Sequence, residues 1–155
     1  YPLRRQRQMC IRDRAKVWRY TIKLPPMGTP RPRTRRLDDG RTITYYDQSY
    51  SDYLDAIQAE LAKDNAINDD FYDVINTELG VKAEIMFYVQ APRSQKRLKK
   101  LTRTTAPDID NLLKAALDGI FRGLEVKDSR VALVSMGKFQ EMENPRTEIV
   151  LRGIE

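Results

Sequence analysis

The sequence predicts an α+β fold, a mixed β-sheet packed with two main helices in a single small domain. Three observations predict it. Apolar residues alternate with period two near both ends of the chain and in its middle, two long segments repeat their apolar residues with helical spacing, and the two kinds of segment interleave. A chain of 155 residues is long enough for two packed layers and too short for two full domains.

The first strand is expected over Val17 to Leu24, where Trp18, Tyr20, Ile22 and Leu24 alternate with Arg19, Thr21 and Lys23. This places Trp18 in the core. Pro25, Pro26, Gly28, Pro30 and Pro32 then argue against regular structure up to Arg36, and a short second strand is expected over Thr42 to Tyr46. Tyr50, Tyr53, Leu54, Ile57 and Leu61 follow at helical spacing, with Ser49 or Ser51 placed to cap the helix. Tyr45, Tyr46, Tyr50 and Tyr53 are expected mainly in packing, with base stacking the other use open to them. Asp64 to Leu79 is acidic and weakly periodic, which reads as a solvated loop with a short helix. Val81 to Gln90 alternates again and is a strand ended by Pro92. Leu112, Leu113, Ala116, Leu117, Ile120, Phe121 and Leu124 outline an amphipathic helix with Gly123 as its C-terminal cap. Arg130 to Met136 and Thr147 to Leu151 are the closing strands.

Composition narrows the chemistry. There is no His, which removes imidazole acid-base catalysis, His-containing triads and His-ligated zinc. The lone Cys10 supports neither an intramolecular disulfide nor a thiolate metal cage. What remains is carboxylates, Lys, Arg, Tyr and hydroxyls, a donor set suited to hard cations such as Mg²⁺. The net charge of +6 suggests nucleic acid, but residues 1–15 hold five arginines and one aspartate and so account for four of those six charges. Met9 to Asp13 also match one translated frame of an adaptor used in sequencing libraries. Residues 1–15 are therefore set aside as adaptor-derived or disordered, and 16–155 are taken as the domain. No apolar run approaches a membrane span, and the scarcity of Cys suits a cytoplasmic, reducing compartment.

The informative tract runs from Pro107 through Asp108, Ile109, Asp110 and Asn111 to Lys114, followed by Asp118 and, beyond the helix, Asp128. In an extended lead-in, Asp108 and Asp110 project to one side. Two such carboxylates at around 4 Å repel by about 1 to 4 kcal/mol, and a divalent cation turns that repulsion into a binding site. With Asp110 as helix cap, Lys114 and Asp118 follow at i+4 and i+8 on one polar stripe. The plain alternative is that Asp110 only caps the helix and Lys114 is its surface ion-pair partner.

Pro107-Asp108-Ile109-Asp110-Asn111-Leu112-Leu113-Lys114, with Asp118 and then Asp128-Ser129-Arg130-Val131, resembles the RusA family of Holliday-junction resolvases. The likeness extends more weakly over most of Val17 to Ile154. The resemblance implies an intertwined homodimer acting as a Mg²⁺-dependent endodeoxyribonuclease in recombination and repair, in phage-infected or bacterial cytoplasm, with Mn²⁺ able to substitute and no organic cofactor. It implies that Asp108, Asp110 and Asp128 are catalytic metal ligands and that Lys114 is the essential lysine. Lys127 is a departure, standing where members often carry the first of two acids. Arg31, Arg33, Arg35, Arg36, Lys96, Arg97, Lys99 and Lys100 are expected to track the phosphates of branched DNA. A non-catalytic branched-DNA-binding protein on the same scaffold is the alternative.

Geometry leaves one question open at this stage. A helix from Asp110 to Leu124 rises about 21 Å, whereas the connector to Asp128 returns at most about 14 Å. Asp128 therefore joins the other acids of its own chain only if the helix ends early or the connector doubles back tightly, and otherwise from the second subunit.

Overall fold

Alternation and helical spacing become, in the computed structural model, a six-stranded, three-helix chain described over residues 16–155. In order the elements are β1 (Val17–Ile22), β2 (Arg33–Arg36), β3 (Thr42–Tyr45), α1 (Gln48–Lys63), α2 (Asp69–Ile75), β4 (Val81–Gln90), α3 (Ile109–Phe121), a 3₁₀ turn (Asp128–Arg130), β5 (Val131–Glu141) and β6 (Arg146–Gly153). The α+β class holds, with a mixed main sheet and two main helices, α1 and α3. The reading of residues 1–15 lies outside the described residues.

The main sheet has the order β1-β6-β4-β5. β6 is antiparallel to both β1 and β4, while β4 and β5 are parallel neighbours. Parallel neighbours need a crossover, and α3 lies on that connection. One face of the sheet carries the core. Val81, Ala83, Ile85, Phe87 and Val89 of β4 point into it, as do Ile149 and Leu151 of β6 and Trp18 and Ile22 of β1. Ile57 and Leu61 of α1, Phe71, Val74 and Ile75 of α2, and Leu112, Ala116 and Ile120 of α3 join them in one buried cluster. Trp18 sits edge-on to Phe71 at 5.1 Å, and its indole N–H donates to the Ala66 carbonyl at 2.9 Å, which removes the unpaired donor that burial would otherwise leave. The helices α1 and α3 meet closely at Gly119, where an added Cβ would lie 2.6 Å from Ile57 Cδ1.

Several boundaries differ from the sequence reading. Arg33–Arg36, expected to lack regular structure, forms a strand, because the prolines stop at Pro32 and the segment pairs with Thr42–Tyr45 in a two-stranded ribbon. The cap of α1 is Asp47, not Ser49 or Ser51, and its carboxylate bonds Arg33 instead of a helix N–H. The acidic 64–79 region is less solvated than expected: Asn68 caps α2 by accepting from Phe71 N–H, and Phe71 is fully buried. Helix α3 ends at Phe121 rather than Leu124, with Gly123 at φ +75 just beyond it, the left-handed position glycine fills readily.

The outer edge of β5 is covered only in part. Chain 101–103 lies along its far end, through Arg103 N–H to Lys138 O at 3.0 Å and Gln140 N–H to Leu101 O at 2.9 Å. Residues 131–137 have no described strand on that side, and Leu133 and Val134 are 56% and 41% exposed there. A bare strand edge with apolar side chains is a pairing surface.

Candidate functional site

The first turn of α3 begins one residue pair earlier than expected. Asp108, at φ −69 and ψ 142, is the N-cap residue, and its carbonyl accepts Leu112 N–H at 3.1 Å. Asp110 is therefore a first-turn residue and not the cap. The extended-segment alternation argued for these two acids does not apply, since the chain is already helical at Ile109. The Asp108 side chain makes no capping bond, so the purely capping role weighed for the acids is not what the structure contains. Both carboxylates are exposed, at the positive end of the helix dipole.

Two cations hold the segment that delivers Asp108. Lys138, on the helix-facing side of β5, donates its Nζ to Thr105 O at 2.8 Å and Pro107 O at 2.7 Å. Arg103 donates Nε and Nη2 to Ala106 O at 3.1 and 2.9 Å. Three successive carbonyls before the acid are thus pinned by charge-assisted bonds. The Pro-rich loop closes the other side. Thr29 N–H donates to Asn111 O at 3.1 Å, and an added Cβ at Gly28 would meet Pro107 Cβ at 3.2 Å.

Along α3, Asp110 and Lys114 stay exposed on the polar stripe, while Asp118 is half-buried. The ion pair weighed between Asp110 and Lys114 is not formed. Asp118 instead accepts from Tyr50 Oη at 2.8 Å, and that phenol lies 3.2 Å from Thr29 Oγ1. Burial above all, and then the Asp118 carboxylate against the opposing Thr29 bond, push the Tyr50 phenol up to about 12, so it remains a protonated donor. Neither Tyr50 nor Lys138 was singled out for the site from sequence. Their spacings from the residues they bond, 68 to Asp118 and 31 to Pro107, carry no local signal.

Asp128 sits at the other end of α3. It lines a cleft of about 440 Å³ with Tyr46, Tyr50, Asp118, Arg122 and Lys127. Two independent rulers separate it from Asp108. Helix α3 rises about 18 Å from Ile109 to Phe121. Strand β5 spans about 23 Å between Val131, next to the turn holding Asp128, and Lys138, which grips Pro107. Accordingly, no group of three or more His, Cys, Asp or Glu that could hold a metal occurs among the described residues of one chain. Asp108 and Asp110 share the start of α3, and Asp128 lies beyond its other end.

The eight basic residues are all exposed and fall in two places. Arg31, Arg33, Arg35 and Arg36 lie on β2 and the loop before it, and Lys96, Arg97, Lys99 and Lys100 lie between β4 and α3. Lys96, Arg97 and Lys99 share one recess. Of the eight, only Arg33 is in an ion pair among the described residues, with Asp47 at 3.1 Å. No helix of the described residues is long and apolar enough to cross a membrane.

No curated protein matches the chain. The family model described as Endodeoxyribonuclease RusA matches residues 23–152, from just after β1 to the penultimate residue of β6 and including the acids, the lysine and both basic regions. That span is nearly the whole chain, and the chain belongs to the RusA family of endodeoxyribonucleases, whose membership implies endonuclease action on Holliday junctions.

Proposed function

We propose that this protein is a Mg²⁺-dependent endonuclease that cuts four-way DNA junctions as a homodimer, with Asp108 and Asp110 of one subunit and Asp128 of the other forming each metal site. The observation that carries the reading is the presentation of two unpaired carboxylates on a helix start whose lead-in is pinned by Lys138 and Arg103. The donors suit the ion. They are carboxylate oxygens only, exposed, and in no ion pair among the described residues. A divalent cation held by these carboxylates would supply positive charge to the phosphoryl and leaving oxygens and would lower the pKa of an attacking water. Mn²⁺ has the same oxygen preference and is expected to substitute.

The bare edge of β5 supports the sharing of acids between subunits. Antiparallel pairing of two such edges over residues 131–137 would bring the turn holding Asp128 in one subunit toward the Lys138 end of β5 in the other, beside Asp108. Lys114, exposed one turn along α3 from Asp110, would add charge to the pentacovalent phosphorus. Arg31, Arg33, Arg35, Arg36, Lys96, Arg97, Lys99 and Lys100 hold the junction arms through phosphate, with little base specificity.

The test is to incubate residues 16–155 with a synthetic four-way junction, with and without Mg²⁺, beside Asp108→Asn and Asp110→Asn. Paired nicks that need Mg²⁺ and vanish in both variants are expected, with binding kept or tightened because a negative charge near phosphate is gone. Junction binding indifferent to Mg²⁺ and without cleavage would leave the non-catalytic DNA-binding reading instead.

A further inference from the structure

The ribbon β2–β3 stands apart from the main sheet, and all eight of its residues are exposed, so neither face is packed on the body. Its register sorts the side chains. Arg33 lies opposite Tyr45 and Arg35 opposite Ile43, which places these four on one face, while Thr34, Arg36, Thr42 and Thr44 share the other. The first face joins two guanidinium groups to an aromatic and an aliphatic side chain that are 42% and 41% exposed. The second face is polar with a single cation.

The ribbon is also tied to the acids. Arg33 bonds Asp47 at the start of α1, Tyr46 packs against Tyr50 with ring centroids 5.2 Å apart, and Tyr50 bonds Asp118 on α3. The tip carries Asp38 and Asp39, of which Arg41 pairs only Asp39, at 2.6 Å. Phosphate repels such a tip, so the sides of the ribbon are its contact surface.

A duplex arm offers phosphates to Arg33 and Arg35 but keeps the faces of its bases stacked, leaving Tyr45 and Ile43 nothing apolar to meet. An unstacked base does offer such a face, since aromatic side chains stack on any base and apolar side chains wedge at opened base steps. In a four-way junction held open, the base pairs where the arms meet lose a stacking neighbour and present such a face. We propose that the Arg33–Arg35–Ile43–Tyr45 face receives unstacked bases at the branch point, with the two arginines on the flanking phosphates. The proposal rests on the junction reading above and adds to it a base-contacting subsite.

The experiment measures binding of the full chain, without divalent metal, to a four-way junction and to a linear duplex of the same arm sequence. Tyr45→Ala is expected to weaken junction binding about tenfold and to leave duplex binding unchanged, from the usual strength of one base–aromatic stack. Tyr45→Phe keeps the ring and retains affinity; Ile43→Ser behaves like Tyr45→Ala. Arg35→Ala weakens the junction complex more than Arg36→Ala, which lies on the other face. A 2-aminopurine at the branch point changes emission on binding the parent protein and not Tyr45→Ala. Equal effects of Tyr45→Ala on junction and duplex, or none on either, would overturn the proposal while leaving the junction reading intact. A parent protein that binds the junction no better than the duplex would remove that reading, and the proposal with it.

Discussion

The ammonium of Lys138 lies 2.7 Å from the carbonyl of Pro107, the residue immediately before Asp108. A strand at the edge of the sheet thereby sets where the first acid of α3 begins. The same amine also bonds Thr105 O, so one side chain closes two carbonyls that a loop would otherwise leave to water.

On the proposed mechanism Lys138 positions Asp108 without touching the substrate. Lys138→Met is expected to lower the single-turnover cleavage rate about tenfold or more while changing junction affinity little, with a stability loss of about 1–3 kcal/mol for the two bonds. Lys138→Arg, which restores donors at the same place, is expected to recover part of the rate. Equal losses of rate and affinity in Lys138→Met would make the residue a phosphate contact instead.

The split of the acids leads to a subunit-mixing experiment. A heterodimer of Asp110→Asn and Asp128→Asn chains contains one complete set of acids if the site is shared and none if it lies within a chain. One nick per junction is expected from the mixture, against none from either variant alone. A mixture as inactive as its parents would place Asp128 with the acids of its own chain.

Lys114 makes no ion pair with Asp110 or Asp118 among the described residues, so on the proposed mechanism its charge would act on the reacting phosphate. Lys114→Ala is expected to reduce the cleavage rate by about a hundredfold or more with less than a threefold change in junction affinity. Rate and affinity falling together would assign it to binding.

Tyr50 supplies a pH signature. Its folded-state pKa is raised from 10.0 to about 12, chiefly by burial, so the protonated phenol stabilises the fold fully below about pH 10 and that contribution is lost as pH rises through 12. Tyr50→Phe deletes the bond to Asp118 and is expected to be less stable by about 1 kcal/mol at pH 8. Melting temperatures of the two proteins should converge between pH 10 and 12. A constant gap across that range would mean the phenol does not titrate as placed.

Local features were legible in the order of the residues. The alternation of Val81 to Val89 made a strand with one buried face, the apolar spacing from Leu112 to Phe121 made a helix, and the tract from Pro107 to Lys114 pointed to a family that the family model then matched over residues 23–152. Tertiary structure decided the rest, because strand order and the meeting of distant segments leave no period in the chain. Only the folded sheet showed that β5 is an edge with Leu133 and Val134 bare, that Lys138 reaches Pro107, and that Tyr50 reaches Asp118. It also turned the arginines after Pro32 into a ribbon, since pairing with Thr42–Tyr45 satisfies backbone groups that the proline-rich stretch before it cannot. The separation of Asp128 from Asp108 follows from the same cause. Asp108 and Asp128 stand at opposite ends of helix α3, which rises about 18 Å, and about 23 Å of strand β5 separates Val131, beside Asp128, from Lys138, beside Pro107.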